Sequence, residues 1–158
     1  MTLIPAAMTA REKLSELGIT LAPPAAPVAS YVPVVVSGNL AFVSGQIARK
    51  GEHVIYKGRV GENVSTEQGA QVARECAISA LAVMDAAGLL DRIVRVVKVT
   101  GFVTSAPTFF DQPKVVNGAS DLLLQVFEDA GKHARSSIGV AVLPLGAPVE
   151  VEFVFEIR

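Results

Sequence analysis

The chain predicts an α+β fold, and three features of it do so. Two long amphipathic segments carry helical spacing, a Val-rich strand-like run separates them, and short β-forming stretches stand before the first and after the second. The order strand-strand-strand-helix-strand-helix-strand-strand implies a six-stranded sheet with both helices laid on one face. With 158 residues, the chain is expected to form one domain, residues 1–158.

Near the start, Thr9-Ala10-Arg11-Glu12 reads as a capping box: Thr9 caps, Glu12 reaches back, and Gly18 stops the short helix. Ala22-Pro23-Pro24-Ala25-Ala26-Pro27 is a stiff extended connector, so residues 1–30 form an N-terminal helix and linker ahead of a core at 31–158. Pro33 to Val36 and Leu40 to Ser44 are two short strands with a hairpin signal, Ser37-Gly38-Asn39, between them. Glu52 to Lys57 is a weaker third. Ser65 and Gln68 open the strongest helix; Ala73, Ala77, Ala80, Leu81 and Met84 form its apolar stripe and Gly88 ends it. Cys76 beside that stripe is expected to be a buried structural thiol. Ile93 to Val103 is the long central strand, and Lys114 to Ala130 the second helix, with Leu122, Leu123, Val126 and Phe127 turned inward.

The last two strands flank Leu143-Pro144-Leu145-Gly146-Ala147-Pro148. Arg135 opens the first and shares a face with Ser137, Gly139 and Ala141, a long cation followed by tiny residues. That pattern leaves room for a small molecule beside a guanidinium, whose planar fork binds a carboxylate bidentately. Glu150 alternates out of the Val149/Val151/Phe153 face and can turn toward a site; Glu152 shares its face and is its rival.

These residues carry a resemblance. Ala134-Arg135-Ser136, then Leu143-Pro144, then Val149-Glu150-Val151-Glu152, resemble the C-terminal signature of the RidA family (YjgF/YER057c/UK114), small enamine/imine deaminases. Ser37-Gly38-Asn39 through Ser44-Gly45-Gln46 is similar to a second segment of that family, and the likeness runs from about Tyr31 to the C-terminus. It implies a chorismate-mutase-like fold and homotrimers whose final strand inserts between earlier ones, with sites where subunits meet. It also implies hydrolysis of 2-aminoacrylate-like intermediates to 2-keto acids and ammonia, without metal or organic cofactor. Arg135 then matches the carboxylate-binding residue and Glu150 the carboxylate that orients water; Tyr31, Ser44, Gly45, Asn117 and Ser137 match substrate-binding positions. Ser137 stands where many members carry Cys, and the N-terminal helix is an addition, so the chain reads as a divergent branch.

Geometry raises a difficulty of its own. Were the last two strands a simple hairpin, Arg135 and Glu150 would lie roughly 20 Å apart. Their cooperation therefore requires either strands that are not partners or a site shared by two chains.

Composition narrows the alternatives. Hydrophobic residues make up 51% and charged ones 18%, which favours self-association of a small domain. A formal net charge of −1 gives no electrostatic reason for nucleic acid as a partner. No uncharged apolar run reaches about 18 residues, so no membrane partner is expected. Residues 1–8 lack a secretory pattern and a single Cys precludes an internal disulfide, which makes the cytoplasm the expected location. His53 and His133 stand apart and form no metal-ligand cluster. Two function classes remain beside the deaminase: a non-catalytic carboxylate-binding protein on the same scaffold, and an endoribonuclease or translation inhibitor of the kind attached to some relatives.

Overall fold

A computed structural model describes residues 7–27 and 29–158; the reading of residues 1–6 as lacking a leader lies outside it. Helix α1 (Ala10–Glu16) is capped as its sequence requires, with Thr9 accepting from the Glu12 amide and the Glu12 carboxylate accepting from Thr9. Strands β1 (Val34–Ser37) and β2 (Leu40–Ile47) form the hairpin, and β3 (Arg49–Lys50) pairs with β4 (His53–Val54). Helix α2 (Thr66–Ala86) opens on the Ser65/Gln68 capping box. Then follow β5 (Ile93–Thr104), α3 (Gln112–Phe127), β6 (Ala134–Val140) and β7 (Val149–Ile157).

The main sheet has five strands in the order β1-β2-β7-β5-β6, not six. The stretch at Glu52–Lys57 does not join it. Only His53 and Val54 pair, with Arg49 and Lys50, in a separate two-stranded ribbon. The cause is local: Tyr56 adopts φ 52°, a left-handed conformation that ends extended backbone.

The sheet is mixed. β7 runs antiparallel to both β2 and β5, while β5 and β6 are parallel and joined through α3. The last two strands are therefore not a hairpin; β5 lies between them. The crossover is fixed where it passes the end of β5: the Thr104 hydroxyl donates to the Ala147 carbonyl at 2.8 Å and the Thr104 amide to Pro148 at 2.9 Å. β7 suits its central place, because Val149, Val151, Phe153, Phe155 and Ile157 are all buried on one face.

Both long helices cover that face. The small side chains of Ala73, Ala77 and Ala80, each 0% exposed, let α2 lie close to the sheet, and Val115, Val116, Ala119, Leu122 and Leu123 do the same for α3. The two helices approach most closely at Gly118. A Cβ there would overlap the Ala70 carbonyl, so only glycine permits the crossing. Helix α1 is docked on the same core: Leu14 is buried, Arg11 pairs with Asp85, and Lys13 pairs with Glu128 at 3.5 Å. Cys76 is fully buried as expected, and burial pushes its thiol pKa up to about 12, so it stays protonated at neutral pH.

Among the described residues no helix covers the opposite face of the sheet. Val35, Phe42 and Ile138 are 52, 44 and 44% exposed there, with Phe102 and Val154 partly buried beside them.

Candidate functional site

Strand register fixes the direction of each candidate side chain, since paired residues share a face. Buried Val99 of β5 pairs with Phe153 on one side and with Arg135 on the other, so Arg135 lies on the helix-covered face. Ser137 and Gly139, paired with Gly101 and Val103, share it, as the alternation requires. Glu150 pairs with Phe102, which also pairs with exposed Ile138 on the uncovered face. Arg135 and Glu150 thus leave opposite faces. Three residues along and two strands across place their Cα atoms roughly 14 Å apart.

At the β6 edge, α3 holds the guanidinium. Arg135 Nη1 donates to Asn117 Oδ1 at 2.8 Å and to Ser120 Oγ at 3.1 Å, and Nη2 donates to the Pro113 carbonyl at 3.4 Å. Five N–H groups radiate from an arginine head. These bonds occupy Nη1 and one hydrogen of Nη2; Nε–H and the remaining Nη2–H have no protein acceptor among the described residues. All three anchors are neutral oxygens, and no carboxylate among the described residues pairs with Arg135. The head is immobilised while its charge and two of its N–H groups stay available to an anion. Two residues further along β6, the Ser137 hydroxyl is buried with no hydrogen-bond partner among the described residues.

A second group gathers at the β2/β7 end of the uncovered face. The pairing of β2 with β7 shifts register between Val43 and Gln46, and Ser44 and Gly45 occupy that irregularity. Ser44 Oγ donates to the Val32 carbonyl at 2.7 Å, one residue after Tyr31, whose ring is half-exposed. Glu150 lies across Gly45 so closely that a Cβ there would overlap Oε1. The sequence left Glu150 and Glu152 as rivals; Glu150 is half-buried and Glu152 exposed. Burial first, and then the nearby Glu152 charge, raise the Glu150 pKa above its ordinary 4.5.

That direction has a measurable consequence. A carboxyl whose folded pKa is raised destabilises the fold when ionised, so the penalty is full above the raised value and vanishes as pH falls below 4.5. Glu150→Gln is therefore expected to raise the melting temperature at about pH 8 relative to wild type, with the gain gone near pH 4. An equal shift at both pH values would contradict the assignment.

The structure brings together Arg135, Asn117 and Ser137 at one edge, and Tyr31, Ser44, Gly45 and Glu150 at another; it does not join the two groups within a chain. Two surface recesses lie elsewhere, one of about 620 Å³ around Arg95, Lys132 and His133 and one of about 350 Å³ between α2 and α3, and Arg135 lines neither. Sequence reading missed Ser120 and His133. Ser120 Oγ bonds His133 Nε2 at 2.9 Å, and His133 Nδ1 bonds the Gly131 carbonyl at 2.6 Å. The available signals were spacing alone: Ser120 stands one helical turn after Asn117, and His133 two residues before Arg135. Among the described residues no group of His, Cys, Asp and Glu could hold a metal ion.

Layered helices on a mixed sheet, with β7 inserted between β2 and β5, define a small α+β protein of the chorismate-mutase-like class that carries an anchored, unpaired arginine. The chain belongs to the YjgF/YER057c/UK114 family: residues 11–157 match the family described as "YjgF/chorismate mutase-like, putative endoribonuclease". It is 46% identical over 147 residues to Protein TCP17 of Trypanosoma cruzi, covering 92% of each chain. Among solved structures it is similar to Atu1372 of Agrobacterium tumefaciens, a protein with unknown function (41% identity, 94% and 92% of the two chains, TM-score 0.87). It is also similar to "a putative endoribonuclease" from Shewanella oneidensis (29% identity, 95% and 100%, TM-score 0.90). The YjgF gene product of E. coli is 29% identical over 88% and 96% of the chains, with a TM-score of 0.61. No helix among the described residues is long and apolar enough to cross a membrane.

Proposed function

We propose that the protein hydrolyses reactive enamine/imine intermediates of the 2-aminoacrylate type to 2-keto acids and ammonia. The observation that carries this reading is Arg135, held by three neutral oxygens with two N–H groups and its charge left without a protein partner among the described residues. Such a head grips the substrate carboxylate and fixes the neighbouring C=N carbon. Chemistry then needs a base. Water attacks that carbon, its oxygen forming the new C–O bond while one proton passes to Glu150 and on to the nitrogen, which takes up the C=N electron pair. Glu150 then moves the hydroxyl proton of the resulting carbinolamine to its amine, the C–N bond breaks as the keto C=O forms, and ammonia leaves. A raised pKa suits Glu150 to take and return that proton.

Because the two residues leave opposite faces of one sheet, the complete site is assembled from neighbouring subunits. We place Arg135, Asn117 and Ser137 on one chain and Tyr31, Ser44, Gly45 and Glu150 on the next, in a homotrimer. The uncovered apolar face at Val35, Phe42 and Ile138 supports association. A cytoplasmic setting fits the single, buried thiol. Anchored without Glu150, Arg135 can also hold a carboxylate and turn nothing over, and this favours the binding protein as the second reading. The endoribonuclease in the family description gains less support: His133 is committed to Ser120 and Gly131, while His53 stands on β4.

The test is 2-keto acid release from amino acids fed to a pyridoxal-phosphate dehydratase or an amino-acid oxidase. Wild type is expected to accelerate release over spontaneous hydrolysis, and Arg135→Ala to lose about 100-fold of that acceleration. No acceleration with several amino acids would defeat the deaminase. Pyruvate raising the melting temperature without turnover would select the binding protein, and cleavage of a test RNA the endoribonuclease.

A further inference from the structure

Neither Ser120 nor His133 touches the edge of Arg135 that faces a ligand, yet both belong to one continuous chain of hydrogen bonds ending on it. The geometry points to Ser120 and His133 as a positioning pair that sets the rotation of the Arg135 head; the inference rests on the proposal that this head holds a carboxylate.

The argument begins at the far end. A carbonyl can only accept, so the 2.6 Å bond to Gly131 places a hydrogen on His133 Nδ1. In the neutral ring Nε2 is then an acceptor, and its 2.9 Å partner, the Ser120 hydroxyl, must donate to it. With its hydrogen directed at the imidazole, Ser120 Oγ turns a lone pair toward Arg135 Nη1, 3.1 Å away. Every donor in the series has one acceptor, and the proton order admits no alternative while the ring is neutral. Ser120 is only 7% exposed, so loss of either neighbour leaves a nearly buried hydroxyl short of a partner.

The consequence falls on the free edge. Asn117 fixes one hydrogen of Nη1, and the 3.4 Å contact of Nη2 with the Pro113 carbonyl is the longest of the three and restrains the head least. Ser120 fixes the second Nη1 hydrogen, and two close acceptors on one nitrogen define the plane. The orientation of Nε–H and the free Nη2–H is set by that plane. Substrate carboxylate meets a fork already turned toward it, which lowers the ordering cost of binding.

The test separates this device from the deaminase itself. In 15N-labelled protein, the two Arg135 Nη1 hydrogens of wild type are expected as distinct, slowly exchanging resonances. They should average in Ser120→Ala and in His133→Phe, which keeps ring volume without nitrogen, and persist in Ser120→Thr. With pyruvate as the probe, the dissociation constant is expected to rise about tenfold in the first two variants and to stay within about twofold in Ser120→Thr. KM for the imine should rise by the same factor with kcat nearly unchanged, since a carboxylate grip acts alike on ground and transition states. Unaltered Nη1 resonances in Ser120→Ala and His133→Phe, both folded, would overturn the positioning role. Averaging in those variants with no pyruvate binding or turnover in wild type would instead uphold the relay and defeat the reading of the site.

Discussion

Arg135→Ala and Glu150→Gln, each inactive alone, are expected to regain activity when refolded together. Each change removes one half of the proposed site: the first abolishes the carboxylate grip and the second the base, and general-base loss by itself costs about 100-fold or more. Register puts the two side chains on opposite faces of the same sheet, so the proposed site draws them from different chains. In the proposed cyclic trimer each site would take Arg135 from one subunit and Glu150 from the next. Random mixing of equal amounts then regenerates about a quarter of the wild-type sites, because both contributors must carry the intact half. Recovery near that fraction, rising and falling with the mixing ratio, would establish sites shared between chains. A mixture as silent as its components, with subunit exchange demonstrated by mass spectrometry, would place both residues in one chain's site and refute the assembly.

Gly118→Ala is expected to be the most damaging of the glycine-to-alanine changes in this protein. Its Cβ would fall on the Ala70 carbonyl, which is backbone within helix α2 and cannot swing aside as a side chain would. The helices must separate at this crossing, including where Val115 of α3 packs on Gly69 of α2. Overpacking of this kind costs about 3 kcal/mol, near the top of its usual range. For a domain of this size the melting temperature should fall by roughly 10 °C. The site should loosen as well, because Asn117 is the preceding residue and Ser120 lies less than a turn beyond; pyruvate affinity at about 20 °C below the transition is the appropriate readout. A variant as stable as wild type would mean that the helices do not cross as closely as the structure has them.

Much of the local structure was legible from residues alone. The capping boxes at Thr9/Glu12 and Ser65/Gln68 formed as written, because each is a contact between neighbours in sequence. The stripe from Ala73 to Met84 is buried throughout, and the alternation that set Arg135, Ser137 and Gly139 on one face of β6 holds. Glu52–Lys57 misled, since His53-Val54-Ile55-Tyr56 carries β-forming side chains while the backbone at Tyr56 turns left-handed.

Periodicity determined which face of its own element each residue occupies, and from that the sequence established the elements, their order and the incompatibility of a plain hairpin with a single site. It could not decide which strand lies beside which. That rests on contacts between residues far apart in the chain: β7 entering between β2 and β5, Thr104 tying down the crossover, and α3 closing on α2 at Gly118. Only once those neighbours are in place do Arg135 and Glu150 prove to face apart, and only then does an unremarked serine on α3 meet a histidine ahead of β6. Spacing along a chain reports direction; what a side chain finds in that direction is a property of the packed molecule.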